Sequence, residues 1–189
     1  MKAHQNPFRS DRVLTVRYRL QDTSWSDLLA RLAGLRYRAA ILGEEGSGKT
    51  TLLEDLAAHL SGQGLRPALV LHNAQCPRLD WPALAKLGPQ YVLLLDGADL
   101  LPLSQWWRLR WLGRRFGGLI VTSHTRPMLP VLRTCQTSSQ LLSGLLNELV
   151  PDEPPDRLVT LANDLFYRHN GNLRDALREM YDRYAAMVI

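Results

Sequence analysis

Short apolar runs alternate with segments of helical spacing along most of the chain. Runs that are apolar throughout, rather than alternating with polar residues, indicate strands that are buried on both faces of a parallel sheet. Because the crossovers of such a sheet are right-handed and helical, the pattern predicts an α/β fold with a five-stranded, mostly parallel, doubly wound sheet. The predicted strands lie at 38–42, 68–71, 91–95, 119–121 and 131–135.

The two ends of the chain have a different pattern. After Cys135 three segments of helical spacing follow at 138–150, 156–169 and 172–187, separated by breaks that contain proline or glycine. Before the first strand, residues 12–20 alternate imperfectly and predict a short strand or an extended arm. We therefore predict a core with an N-terminal arm over residues 1–136 and a small C-terminal helical lid over 137–189.

One loop between the first predicted strand and the next helix has a full phosphate-binding pattern. Gly43, Gly48, Lys49 and Thr50 have the required spacing. Glycines let backbone N–H groups approach a phosphate, and the helix that follows directs its positive end at the anion. Lys49 is expected to reach the β and γ phosphates, and the Thr50 hydroxyl is expected to ligate Mg²⁺. The predicted nucleotide-binding residues are Gly43, Glu44, Glu45, Gly46, Ser47, Gly48, Lys49, Thr50 and Thr51, with the side chains of Glu44 and Glu45 expected to point to solvent.

Acidic residues follow the third predicted strand. Asp96 ends the apolar run at 91–95 and is expected to hold Mg²⁺ together with Thr50. The alternative is an Asp that merely begins a turn. Many enzymes with such a loop carry a glutamate at the next position, where this chain has Gly97. Asp99 is therefore the candidate for positioning an attacking water, with capping of residues 100–103 as the alternative.

Three further polar residues complete the candidate site. Ser123 and His124 end the fourth predicted strand and are candidates for sensing the γ-phosphate, although His124 is equally compatible with an ordinary turn. Arg174 lies in the first turn of the last predicted helix, where a cation opposes the helix dipole and therefore indicates an anionic target. The alternative is a salt bridge to a nearby acid such as Asp175 or Glu179. The candidate catalytic residues are Lys49, Asp96, Asp99, Ser123, His124 and Arg174, and the candidate metal ligands are Thr50 and Asp96.

Several of these segments together resemble the P-loop ATPases of the AAA+ and STAND type. Residues 42–53 are similar to their Walker A segment. Residues 94–99 resemble the Walker B segment of the NACHT branch, which also places a small residue after the first Asp and an acid further on. Residues 120–124 resemble a sensor 1 strand, and 171–177 resemble the sensor 2 segment of AAA+ replication initiators. The resemblance implies the P-loop NTPase fold, with ATP and Mg²⁺ as ligands. The complete phosphate-binding loop and the candidate Arg174 together favour an ATPase that acts as a nucleotide-driven switch on an unidentified partner, for which a protein is one possibility.

Two departures from the family pattern change what the resemblance implies. Gly97 replaces the usual glutamate, so slow turnover is expected. An arginine finger is not evident, and the candidates for it are Arg114, Arg115 and Arg126. The alternatives to a switch ATPase are a non-hydrolysing nucleotide-binding module that recruits a partner, a small P-loop kinase and an ATP-dependent nucleic-acid-binding protein.

Composition limits the location and the partners. The 189-residue chain has a formal net charge of +5, which permits an anionic partner, and 20 of its 23 basic residues are Arg. Its two cysteines, Cys76 and Cys135, form neither a metal-ligand spacing nor a disulfide framework. The start has no apolar signal segment, and no run is long enough for a membrane helix. A cytoplasmic protein without a membrane partner is therefore expected.

Residues 104–116 combine tryptophans with arginines on one predicted helix. Such a helix can stack on and contact nucleic acid, or bind a protein partner. The alternative is that the tryptophans pack on the sheet while the arginines face water. The sequence leaves these three interpretations open.

Overall fold

The computed structural model describes residues 6–13, 15–73, 76, 78–125 and 128–186. Two short 3₁₀ helices, Ala98–Leu100 and Gly113–Arg115, flank α5. The remaining elements, in chain order, are α1 (Ser10–Val13), α2 (Trp25–Gly34), β1 (Arg38–Gly43), α3 (Lys49–Gly62), β2 (Arg66–Leu71), α4 (Trp81–Ala85), β3 (Tyr91–Asp96), α5 (Leu103–Leu112), β4 (Gly118–Ser123), β5 (Val131–Cys135), α6 (Ser139–Leu149), α7 (Pro155–Arg168) and α8 (Leu173–Ala186).

The five strands form one sheet in the order β2-β3-β4-β1-β5. Every pair of neighbouring strands is parallel, which confirms the predicted five-stranded parallel sheet. The order places β1 beside β4, and β3 on the other side of β4, so the carboxyl ends of these three strands meet at one edge. Ligands of parallel α/β sheets bind at that edge.

Both faces of the sheet are buried, as continuous apolar runs require. Along β3, Val92 and Leu94 face one core, which they share with leucines of α2 and α3. Leu93 and Leu95 face a second core, which they share with buried residues of α5. Successive strand residues point to opposite faces, so a half-buried sheet would have needed polar residues at alternate positions.

The chain packs as two compact units, and the predicted domain boundary after residue 136 stays a prediction. One unit, which we call the sheet unit, contains 18–43 and 49–135, and the other, the helical unit, contains 1–17, 44–48 and 136–189. The helical unit has its own core, to which α6, α7 and α8 contribute buried leucines, alanines and a methionine. Phe8 is buried in this core, and the side-chain amide of Asn6 donates to the Tyr181 carbonyl at 2.9 Å.

The N-terminal segment differs from the prediction for residues 12–20. Ser10–Val13 forms one turn of helix, and the described residues 15–20 have no regular secondary structure. Tyr18 packs on the sheet core, which accounts for an apolar residue at this position. Its backbone N–H donates to buried Asp55 at 2.7 Å and not to a strand, so the segment does not join the sheet. In the described part of the chain, none of the helices has the length and apolar character needed to cross a membrane.

Candidate functional site

The phosphate-binding loop joins β1 to α3. Gly46 and Gly48 adopt φ angles of +71° and +84°, which are accessible to glycine at little cost. Ser47 N–H donates to the Glu44 carbonyl at 3.3 Å, so residues 44–47 form a tight turn. Lys49 and Thr50 then begin α3, which follows the loop directly in sequence.

A network of hydroxyl groups holds Asp96 at the carboxyl edge of the sheet. The Thr50 hydroxyl donates to Asp96 Oδ2 at 2.8 Å. The Thr122 hydroxyl donates to Asp96 Oδ1 in a short hydrogen bond and accepts from the Gly97 N–H at 2.8 Å. Both carboxylate oxygens therefore have a fixed direction, and Thr50 lies beside Asp96, while their role as Mg²⁺ ligands stays a prediction.

Lys49 and His124 also meet at this edge. The Lys49 ammonium donates to the Gly43 carbonyl at 2.8 Å, and it lies 3.5 Å from Nδ1 of exposed His124. The predicted role of Lys49 in binding phosphate stays a prediction. The structure thus brings together Lys49, Thr50, Asp96 and His124, four of the predicted residues.

Asp99 and Ser123 do not join this group. Asp99 is exposed within the 3₁₀ helix, and it caps neither that helix nor α5, whose N-caps are Gly97 and Pro102. Buried Ser123 accepts from the Thr125 N–H at 3.2 Å through its hydroxyl. Their predicted roles stay predictions.

Gly97 cannot be replaced by a residue with a side chain without moving the backbone. Its φ is +80°, and a Cβ atom added there would overlap the carbonyl oxygen of His72. The backbones of β2 and β3 approach so closely because His72 N–H also donates to the Asp96 carbonyl at 2.9 Å. This packing gives a physical reason for the absence of a glutamate after Asp96.

The loop has features that fit a bound triphosphate. Ser47 Oγ is buried and has no hydrogen-bond partner among the described residues. A buried hydroxyl without a partner is costly unless a ligand or water satisfies it. The side chains of Glu44 and Glu45 are exposed, as predicted, and Thr51 is half-buried in the first turn of α3.

The donor set at this edge fits Mg²⁺ better than a metal held by the protein alone. The described residues contain no cluster of three or more potential His, Cys, Asp or Glu metal ligands. Mg²⁺ uses few carboxylates and relies on phosphates and waters for its other ligands. One carboxylate and one hydroxyl, from Asp96 and Thr50, match that requirement.

The start of α8 packs against the loop inside the helical unit. A Cβ atom added at Gly46 would overlap the Asn172 side chain and lie 3.2 Å from the backbone nitrogen of Arg174. Asn172 caps α8 by accepting from the Asp175 N–H at 3.2 Å, and it donates to the Asp175 carboxylate at 2.7 Å. The first turn of α8, which carries Arg174, is therefore next to the loop.

Nearby acids do not neutralise Arg174. Its side chain is exposed and forms no hydrogen bond or ion pair within the described residues. Glu179 instead pairs with Arg168, His169 and Arg183 at 2.5–2.6 Å. Partial desolvation works to raise the pKa of Glu179, but these hydrogen bonds and charges outweigh it and lower the pKa. The alternative of a salt bridge from Arg174 to Asp175 or Glu179 is therefore wrong.

Two residues of this edge were not predicted as site residues. Thr122 directly follows the predicted strand 119–121, and its position next to Asp96 follows once β3 and β4 pair with Leu95 opposite Val121. His72 follows β2, is 5% exposed, and has a buried Nδ1 without a partner in the described part of the chain. In the sequence, the signal that could have identified His72 is a polar residue directly after the predicted strand 68–71.

Cys135 lies at the end of β5, beside Gly43 in the sheet. Burial raises the pKa of its thiol, although a hydrogen bond with Tyr18 and the charges of Arg133 and Lys49 act in the opposite direction. The thiol is therefore protonated at neutral pH and is not a nucleophile. Both Cys76 and Cys135 are free.

Comparisons with known proteins support the fold and little beyond it. No family model matches the chain. A solved structure of a RuvB variant from Thermotoga maritima is similar over 83% of this chain and 60% of that chain, with a TM-score of 0.58 and 16% identity. ABC transporter G family member 13 of Arabidopsis thaliana is 46% identical over 55 residues, which are 29% of this chain and 8% of that protein. The chain therefore spans about three fifths of the RuvB structure and a small part of the transporter, and it has the P-loop NTPase fold.

Proposed function

We propose that this protein binds ATP with Mg²⁺ at the loop 43–51 and hydrolyses it slowly, as a switch on a protein partner. The observation that carries the proposal is the hydrogen-bond network that joins Thr50, Asp96 and Thr122. The glycine loop before Thr50 also has a buried Ser47 hydroxyl without a partner in the described part of the chain. The loop N–H groups and Lys49 would hold the phosphates. Thr50 and Asp96 would hold Mg²⁺, which offsets the negative charge of the phosphates.

Arg174 supports the switch part of the proposal. Its helix starts against Gly46, and no acid among the described residues pairs with it. A phosphate held by the loop would supply that missing anion, so ATP would fix the position of α8 and loss of the γ-phosphate would release it. His124 and Ser123 remain candidate γ-phosphate sensors in this proposal.

A non-hydrolysing recruitment module is the second candidate function. The close approach of His72 to Gly97 favours it, because this packing excludes a glutamate next to Asp96. Asp99 is the remaining proposed water-positioning residue, and it is exposed. The two candidate functions share the nucleotide site and differ only in turnover.

Phosphate release distinguishes these two functions. We expect slow, Mg²⁺-dependent release by the wild type, and at least a tenfold decrease in Asp99→Ala and in Arg174→Ala, with ATP affinity retained in Asp99→Ala. Arg178→Ala, an exposed arginine one turn after Arg174, is the matched control and should match the wild type. Release at the level of Lys49→Ala in the wild type itself would favour the recruitment module.

Thr122 is proposed to position Asp96 without touching the nucleotide. Thr122→Val removes the hydroxyl that orients Asp96 and leaves the Gly97 N–H unpaired, so we expect affinity for Mg²⁺-ATP to fall about tenfold. Thr122→Ser keeps the hydroxyl and should retain nearly full affinity. Calorimetry with and without Mg²⁺ measures this, and an equal loss in both conditions would contradict a role through the metal site.

The finer assignments also belong to this proposal. The small residue at Gly97 and the acid at Asp99 support the NACHT-like branch of the family, and the free thiols fit a cytoplasmic protein. Arg114 and Arg115 precede β4 at the amino edge of the sheet, so neither can act at the site of its own sheet unit. Arg126, the third arginine-finger candidate, lies outside the described residues.

A further inference from the structure

We propose that α5 and the two arginines that follow it bind single-stranded nucleic acid. The surface consists of Leu103, Trp107, Trp111, Arg114 and Arg115, and we call it the Trp–Arg face. It belongs entirely to the sheet unit, and nothing in the proposed nucleotide site uses it. Packing, charge and ring exposure on this helix support the assignment.

α5 packs on the sheet through the side of the helix that is opposite to the Trp–Arg face. Trp106, Leu109 and Leu112 are buried in the core on that side of the sheet. Trp107 and Trp111, in contrast, are 53% and 68% exposed. The interpretation that the tryptophans pack on the sheet therefore holds for Trp106 and is wrong for these two.

The exposed rings have a regular spacing. Leu103, Trp107 and Trp111 recur every four residues, so neighbouring side chains rise about 6 Å along the helix. This rise is slightly less than two steps of about 3.4 Å in stacked nucleotides. Exposed indoles stack on bases of any sequence, and this stacking is a main source of affinity for single strands.

The segment that carries these rings has positive charge only. Residues 100–147 contain six arginines and no Asp or Glu. The sheet unit has 14 Lys and Arg against 7 Asp and Glu, whereas the whole chain has a net charge of only +5. Arg114 and Arg115 are exposed and form no ion pair in the described part of the chain.

Two other arginines of α5 lie over aromatic rings, and one of these rings, Trp107, belongs to the face. The Arg110 guanidinium lies 5.8 Å from the Trp107 ring centre and donates to the Met128 carbonyl at 3.2 Å. The Arg108 guanidinium lies 4.4 Å from the ring centre of Trp81. Guanidinium groups over aromatic rings keep their charge available to an anion while fixing the ring. Trp107 therefore loses less conformational entropy on binding than an unrestrained ring would.

A single strand meets these requirements better than other anionic partners. Its bases supply flat rings and its phosphates supply charge at every repeat, whereas a protein would need apolar groups and acids at matching positions. In a duplex the bases are stacked on each other and cannot cover the indoles. DNA and RNA share this chemistry, and the test below separates them.

Fluorescence anisotropy with labelled oligo-dT and oligo-U of about 16 nucleotides tests the proposal. We expect the wild type to bind at least one of them more tightly than a duplex of equal length. The oligonucleotide that is bound more tightly then shows whether the face prefers DNA or RNA. Trp107→Ala and Trp111→Ala should each weaken binding about tenfold. The double variant Arg114→Ala, Arg115→Ala should reduce the slope of log affinity against log salt by about 1.4.

Matched controls use exposed residues outside the face. Tyr167→Ala removes an aromatic side chain that is 78% exposed, and Arg157→Ala removes an arginine whose side chain is 69% exposed. Both should bind like the wild type. The proposal is overturned by wild-type affinity in both tryptophan variants, by equal affinity for the duplex, or by the absence of oligonucleotide binding at low salt. Binding to polyglutamate or to anionic vesicles without oligonucleotide binding would also overturn it.

Discussion

Replacing Lys49 by alanine is expected to reduce the affinity for Mg²⁺-ATP about 100-fold. The Lys49 ammonium donates to the carbonyl of Gly43, the first residue of the phosphate-binding pattern. Hydrogen bonds to a charged partner contribute about 1.5–3 kcal/mol each, and Lys49 is proposed to form them with two phosphates. A loss of about 3 kcal/mol corresponds to about 100-fold in affinity. Calorimetry with ATP and Mg²⁺ measures this directly.

The chain offers a matched control for Lys49. Lys86 is an exposed lysine at the C-cap of α4, and it lies outside the proposed site. Lys86→Ala removes the same charge and should bind ATP like the wild type. Thermal unfolding of both variants checks that the folds are intact. Wild-type affinity in a folded Lys49→Ala protein would refute the proposed nucleotide site, and with it the roles of Thr50 and Asp96.

The fold was predictable because each of its strands is apolar throughout. Val92–Leu95 have no polar residue, since neighbouring positions face two different cores, and that feature excludes a half-exposed sheet. The segment 12–20 was not predictable, because Tyr18 has the apolar character of a strand residue but packs at the sheet core without joining a strand. Asn6 and Phe8 pack with the helical unit, and no local pattern records that long-range packing.

The site was predictable where the chemistry lies in one continuous segment. The loop has a fixed spacing, and Asp96 follows from one strand. The places of Thr122 and His72 in the site could not be predicted in this way, because they depend on the order and register of different strands. That arrangement puts Thr122 against Asp96 and His72 against Gly97. Arg174 was identified as a candidate because a cation in the first turn of a helix opposes the helix dipole. Only the structure shows that Glu179 forms its hydrogen bonds with other basic side chains and not with Arg174.

Gly97 stands where the ATPases that the sequence resembles have a glutamate, and its backbone geometry leads to an expectation about stability. Gly97→Ala should destabilise the protein by about 2–5 kcal/mol. The left-handed backbone, with φ of +80°, costs a residue with a side chain about 1–2 kcal/mol. Overlap of the new Cβ with the His72 carbonyl oxygen adds about 1–3 kcal/mol, because a backbone atom of a paired strand cannot move aside easily.

Gly64 separates these two contributions. It also has a φ of +80°, but a Cβ atom added there would meet no atom within 4 Å. Gly64→Ala should therefore cost only the backbone strain, and the difference between the two variants in urea unfolding isolates the contact with His72. Equal destabilisation would mean that the close approach of β2 to β3 does not constrain position 97.

Gly97→Glu extends this argument to catalysis. If a missing carboxylate were the sole limit on turnover, the variant would release phosphate faster than the wild type. We expect no gain, because the Cβ of the glutamate meets the same carbonyl oxygen and shifts the Asp96 backbone, whose carbonyl accepts from the His72 N–H. Phosphate release at a temperature where the variant is folded measures this. Faster release would show that the site tolerates a glutamate after Asp96 and that the proposed slow turnover depends on one residue.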